Sequence, residues 1–174
     1  GMHLDFIYNP EFAGGNAVSV RAAREFVGYD SFMLAMGDHV IEPSIALRLS
    51  AAMGQSSILG VDSAAAADGQ LSDATKVLLD DAGYLLRIGK ELRHWNAVDI
   101  GVFRFEPSVF DTLDQLYDTY GASLELHQLM RCLANQAPGV ATCDIEGKFW
   151  SDIDTIDDYE SADQHIGVSP ALSV

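Results

Sequence analysis

The sequence predicts a single domain built as a three-layer α/β sandwich around a mixed sheet. Strand-like and helix-like patterns alternate through the first third of the chain, as in α/β folds. Two short strand patterns flank Asp80-Asp81-Ala82-Gly83, which reads as a small antiparallel hairpin inserted on that framework. No internal repeat or low-complexity boundary divides the 174 residues, a length that buries about two-thirds of the unfolded surface in one core.

Each element has a local reason. Leu4 to Tyr8 reads as a strand closed by Asn9-Pro10, and Gly1 ahead of Met2 reads as an expression remnant. Asn16 can cap a helix running to Val27, with Val18, Val20, Ala23 and Phe26 on its apolar side. Ser31 to Met36 is wholly apolar after its first residue, the pattern of a strand covered on both faces in a parallel sheet. Pro43 suits the first turn of a helix through Ala52. Ser57 to Val61 reads as a strand ending at Asp62, and Ser63 to Gly69 as a small, flexible connection. The hairpin strands are Lys76 to Leu79 and Tyr84 to Ile88, and Asp99 to Phe105 is a further strand. Helices are expected over Ser108 to Tyr120 and Ser123 to Asn135, then a strand over Val140 to Ile145 and a short extended piece at Lys148-Phe149-Trp150. A last helix covers Ile156 to Gln164, and the tail to Val174 is weakly patterned.

Composition narrows the function. The hydrophobic share of 48% and charged share of 21% are those of an ordinary globular domain. Ten basic against 26 acidic side chains give a net charge of −16, which repels nucleic-acid backbones and anionic lipid surfaces; neither is expected as a partner. No apolar run approaches the ~20 residues of a membrane span, and no basic-then-apolar leader is visible, so a cytoplasmic location is expected. Cys132 and Cys143 sit in apolar patterns and read as buried free thiols. Histidines 3, 39, 94, 127 and 165 show no metal-ligand spacing, and no Gly-x-Ser-x-Gly elbow suggests covalent acyl chemistry.

The candidate chemistry is acidic. The apolar run Phe32-Met33-Leu34-Ala35-Met36 stops at Gly37-Asp38, which delivers a carboxylate to the carboxyl edge of a sheet, where α/β folds bind ligands. Far downstream, Trp150-Ser151-Asp152-Ile153-Asp154-Thr155 places two acids on one face of an extended segment. Carboxylates from distant segments can hold a hard cation such as Mg²⁺ against a phosphate, making Asp38, Asp152 and Asp154 candidate ligands, with Asp152 favoured over Asp154. The blander roles are a turn or cap before Pro43 for Asp38, and a cap by Asp154 or Thr155 for the helix holding Asp157 and Asp158. Lys90, after a glycine, can neutralise a phosphate or simply pair with Glu91 or another acid. Asn96 and Asp99 can bond a polyol or sugar, or serve as ordinary turn and strand-edge residues. Gly14-Gly15-Asn16 opens a helix whose free N–H groups can take an anion or the edge of a base.

Taken in order, Gly14-Gly15-Asn16 with Ser19, Met36-Gly37-Asp38-His39, Ile88-Gly89-Lys90-Glu91-Leu92, Trp95 to Gly101, and Trp150 to Thr155 resemble the nucleotidyltransferases that make NDP-sugars and related activated alcohols. Within that group the chain looks most like the inositol-1-phosphate cytidylyltransferases and neighbouring sugar-1-phosphate enzymes, over Leu4 to Ala162. The resemblance implies a Rossmann-like, nucleotide-diphospho-sugar transferase-like sheet. It also implies Mg²⁺-dependent attack of a sugar- or polyol-1-phosphate on the α-phosphorus of an NTP, CTP favoured, with release of pyrophosphate. By the same resemblance Asp38 and Asp152 hold the metal and Lys90 the acceptor's phosphate. Gly15, Asn16 and Ser19 face the nucleotide base, while Asn96, Asp99 and Gly101 line the acceptor site. The family's opening strand, and the arginine- and lysine-bearing glycine-rich loop that grips the triphosphate, have no counterpart before Leu4. The chain is therefore expected to be N-terminally truncated relative to the family, to turn over little by itself, and to self-associate through the bare sheet or an apolar face. The alternative is a non-catalytic fragment or regulatory relative that binds a phosphorylated ligand or a partner chain. A glycosyltransferase that also uses a carboxylate-bound metal ranks last, because Gly37-Asp38-His39 stands where its Asp-x-Asp would end the strand.

Overall fold

The computed structural model describes residues 3–52, 56–68 and 74–168; Gly1, Met2, the last residue of the Ser63 to Gly69 connection and the tail from 169 lie outside them. Eight strands and seven α-helices are present among the described residues. In chain order these are α1 (Asn16–Ala22), α2 (Arg24–Val27), β1 (Phe32–Ala35), β2 (His39–Ile41), α3 (Pro43–Ala51), β3 (Ser57–Asp62), α4 (Ser63–Asp68), β4 (Lys76–Leu79), β5 (Leu85–Ile88) and β6 (Ala97–Phe105). There follow α5 (Val109–Tyr120), α6 (Leu126–Ala134), β7 (Val140–Asp144), β8 (Trp150–Asp152) and α7 (Ile156–Val168).

The main sheet runs β5-β4-β6-β3-β7, and β1 adds to the second half of β6. β6 is antiparallel to β1, β3 and β4, whereas β3 and β7 are parallel. β1, β3, β4 and β7 thus point the same way, and their carboxyl ends share one edge with the start of β6. This is the expected mixed three-layer α/β/α sheet with a hairpin. One face carries Leu59, Val61, Phe103 and Phe105 beneath α1, α5 and α6; the other packs Ile100 and Val102 of β6 against Ile45 and Leu49 of α3. A separate two-stranded sheet joins β2 to β8, and α7 follows it.

Several expectations fail, and the helix expected over Asn16 to Val27 is one: it divides at Ala23 into α1 and α2 and leaves Phe26 exposed. Residues 4–8 form no strand; Leu4, Phe6 and Tyr8 are exposed, and without a neighbouring ladder a lone strand has nothing to hold it. β1 is not covered on both faces: it pairs antiparallel with β6, and its burial alternates, with Met33 exposed between Phe32 and Leu34. The connection after Asp62 is helical through residue 68, because Asp62 Oδ1 accepts the N–H groups of Ala64 and Ala65 and so caps α4. Cys132 and Cys143 are free, but half-buried rather than buried.

Candidate active site

The cleft lies at the shared carboxyl edge, with a volume of about 760 Å³, within the usual span of small-ligand sites. Its walls come from the β1–β2 turn, β6, the segment after β5, the start of α6, and β8. Asp38, Lys90, Asp99, Gly101, Asp152 and Asp154 all line it, although they are spread over more than a hundred residues.

Backbone pairing brings the two acidic motifs together. β2 and β8 pair with His39 opposite Asp152, and the Ile153 N–H donates to the Asp38 carbonyl at 2.8 Å. Among the described residues no group of three His, Cys, Asp or Glu side chains is arranged to hold a metal. Asp38, Asp152 and Asp154 therefore do not form a ready-made three-carboxylate cage. Thr155 takes the capping role left open by the sequence: its Oγ1 accepts the Asp158 N–H at 3.3 Å, and its own N–H and hydroxyl donate back to Asp158 Oδ2 at 2.8 and 2.7 Å, while Asp154 lines the cleft. The Asp38 side chain is about half exposed, and the hydrogen bond from His39 Nδ1 (2.8 Å) holds its carboxyl below the usual carboxylate range.

Asp99 is different. It is a half-buried residue of the cleft wall, where burial pushes its pKa up to about 6 despite an N–H bond from Gly101 (2.8 Å) and the nearby His39. Gly101 has a φ of +69°, and a Cβ there would sit 2.7 Å from the His39 ring. Lys90 also lines the cleft, and its carbonyl accepts from Lys76 Nζ at 3.1 Å. The acid beside it, Glu91, is ion-paired with Arg131.

Three sequence-derived site residues do not reach the cleft as expected, and one reaches it with its acceptor engaged. Ser19 lies outside the lining and accepts from Asn9 Nδ2 at 3.0 Å. Asn96 is also outside; its amide bonds both ways to the Leu79 backbone, at 2.8 and 3.1 Å, acting as a strand-edge residue. Gly15 is buried against the chain between α5 and α6, where an added Cβ would overlap the Leu124 carbonyl oxygen. Asn16 lines the cleft but does not cap its own helix: Gly15 holds that position, and Asn16 Oδ1 accepts the Leu126 N–H at 2.7 Å. Nor are the N–H groups of this turn free. Gly14 donates to Glu11 O, Gly15 to Ala122 O, Asn16 to Glu125 Oε2 and Ala17 to Leu124 O, so they offer no anion cradle.

Sequence reasoning assigns no role to His39, Glu125 or His127, all of which line the cleft. For His39 a signal exists: a glycine inside a strand marks a close approach, and the group approaching Gly101 is the His39 ring. Glu125 and His127 carry no such signal, because only the packing of α6 turns them inward.

An α/β sheet with an acidic cleft at its carboxyl edge and a hairpin beside it defines the class: a nucleotide-diphospho-sugar transferase-like fold. The inositol-1-phosphate CTP transferase from T. maritima superposes with a TM-score of 0.73 over 92% of this chain and 64% of its own, at 22% identity. Two curated relatives are similar in sequence, both named bifunctional IPC transferase and DIPP synthase. The one from Rubrobacter xylanophilus is 28% identical over 171 residues, covering 95% of this chain and 37% of the relative. The one from Archaeoglobus fulgidus is 30% identical over 162 residues, covering 91% of this chain and 29% of the relative. No protein-family model matches the chain. By sequence and fold together, the chain is similar to these nucleotidyltransferases. It spans roughly a third of the length of these curated relatives, at 37% and 29%.

Proposed function

We propose that this chain carries the metal and acceptor side of a nucleotidyltransferase site, transferring a nucleoside monophosphate from an NTP, CTP favoured, to inositol-1-phosphate or a related sugar phosphate. The observation that carries the reading is the pairing of β2 with β8, which delivers Asp38 and Asp152 to one cleft. The donor set suits Mg²⁺, a hard cation that takes one or two carboxylates and completes its shell with water and phosphate oxygens, so no protein cage is required. When bound, that ion would neutralise charge on the transferring phosphate.

The chain's own residues do the rest. Asp38 and Asp152 would hold the ion, with Asp154 beside them. Lys90 would meet the acceptor's phosphate, and Asp99 with Gly101 would form the wall beside its hydroxyls. Two anionic reactants gain most from positioning and charge neutralisation, and this mixed acidic and basic lining can supply both. We place the protein in the cytoplasm, where NTP is supplied; no described helix is long and apolar enough to cross a membrane. Self-association would follow the edge of β1 that faces away from β6, flanked by exposed Phe26, Tyr29 and Met33.

A thermal-shift screen with each NTP plus Mg²⁺, with and without inositol-1-phosphate, tests the reading. A saturable, Mg²⁺-dependent rise with one nucleotide supports it. No response to any NTP, with or without the acceptor, contradicts it.

A further inference from the structure

We propose that His39 is a positioning residue for Asp38, held in a slot made by Trp150 and Gly101, so that one carboxylate oxygen is tied down and the other is presented to a cation. The inference rests on the metal reading given above and adds the residues that make it geometrically possible.

Asp38 sits in a turn with its side chain about half exposed, where an unassisted carboxylate rotates freely between orientations. His39 does not share that freedom: its side chain is only 16% exposed. Its Nδ1 lies 2.8 Å from Asp38 Oδ1, and an ionised carboxylate only accepts, so Nδ1 is the donor and the tautomer is set. That bond engages Oδ1 and leaves Oδ2 for a ligand.

The slot explains why a flat ring stands at this position. The Trp150 indole is parallel to the imidazole within 7°, with centroids 6.3 Å apart. Trp150 is itself fixed, because its Nε1 donates to Asp62 Oδ2 at 2.9 Å while Asp62 Oδ1 caps α4. Opposite the imidazole, Gly101 leaves the space that any Cβ would take, 2.7 Å from ring atoms Cδ2 and Nε2. Asp99 fastens that bend by accepting the Gly101 N–H. The end of β3, β6 and β8 are thus all recruited to orient one side chain on β2. Groups that orient a metal-binding carboxylate in this way set its affinity for the ion.

The test is a Mn²⁺ titration followed by electron paramagnetic resonance on wild type, His39→Ala, His39→Asn, His39→Gln and Asp38→Ala. His39→Ala is expected to weaken Mn²⁺ binding about tenfold or more. His39→Asn can place its amide nitrogen where Nδ1 stands and should restore affinity to within about threefold of wild type, whereas His39→Gln reaches toward Nε2 and should not. Equal affinities for all three His39 variants, or losses that follow melting temperature alone, overturn the proposal. A second readout is independent of the metal: ¹⁵N NMR should show a His39 Nδ1–H resonance that disappears in Asp38→Ala, and its absence from wild type overturns the proposal by itself. If that resonance is present while wild type binds no Mn²⁺, the His39–Asp38 contact is supported and the metal reading of the cleft is overturned.

Discussion

The glycine-rich turn at 14–16 and the acidic edge at 38–39 and 152–154 look equally like ligand sites in the sequence, and the structure treats them oppositely. In the turn, every backbone donor from Gly14 to Ala17 and the Asn16 side-chain carbonyl are engaged by the chain's own groups. At the acidic edge, the segments holding Asp38 and Asp152 pair through backbone and leave carboxylates facing a cleft. The difference lies in polar satisfaction: a group that resembles a binding group is available only when nothing inside the protein already uses it.

Substitutions probe the two regions separately. The largest effect is expected at Gly15. Gly15→Ala forces a Cβ onto the Leu124 carbonyl and should cost roughly 2–4 kcal/mol in urea denaturation. Unchanged stability with lost ligand binding would restore the turn as a ligand site.

Next is Asp99→Asn. The folded pKa of about 6 stands above the ordinary value of 3.8, so the native state holds the proton more tightly than the unfolded chain. The stability linked to that proton is full below about pH 4 and lost as pH rises to 6. An amide at position 99 has no proton to lose, so the variant should gain up to about 3 kcal/mol over wild type at pH 7.5 relative to pH 4. Parallel stability profiles for the two proteins over pH 4–7.5 would show that Asp99 is not the destabilised acid described here.

A smaller loss is expected from Trp150→Phe, which keeps a ring beside His39 but strands Asp62 Oδ2 without its donor, at about 1–3 kcal/mol. The smallest is Arg48→Ala. It removes a two-pronged but exposed pair with Glu146, and should leave both the urea-denaturation midpoint and ligand binding close to wild type. A larger loss from Arg48→Ala would mean that this pair is shielded from solvent far better than its exposure implies.

Legibility in the sequence varies by residue. β3, β4, α3 and α5 are readable from periodicity and from Pro43, because their patterns match the faces they bury. Residues 4–8 have a strand's composition, yet strand formation depends on a partner that local sequence cannot display. In the site, Asp38, Lys90, Asp99, Gly101, Asp152 and Asp154 are recognisable because their motifs are local. Ser19 and Asn96 mislead because their engagement with Asn9 and Leu79 exists only after folding. His39 escapes a sequence reading although Gly101 points to it; its neighbours in space come from β6 and β8.

Asp38 and Asp152 are held here to act together on one metal–phosphate ligand. The sharpest check is the melting midpoint with saturating CTP and Mg²⁺, taken for wild type, Asp38→Ala, Asp152→Ala and the double variant, with Asn96→Ala as control. The midpoint should rise in wild type and the control, and that rise should vanish in all three aspartate variants. A rise of wild-type size in the double variant would refute the shared role.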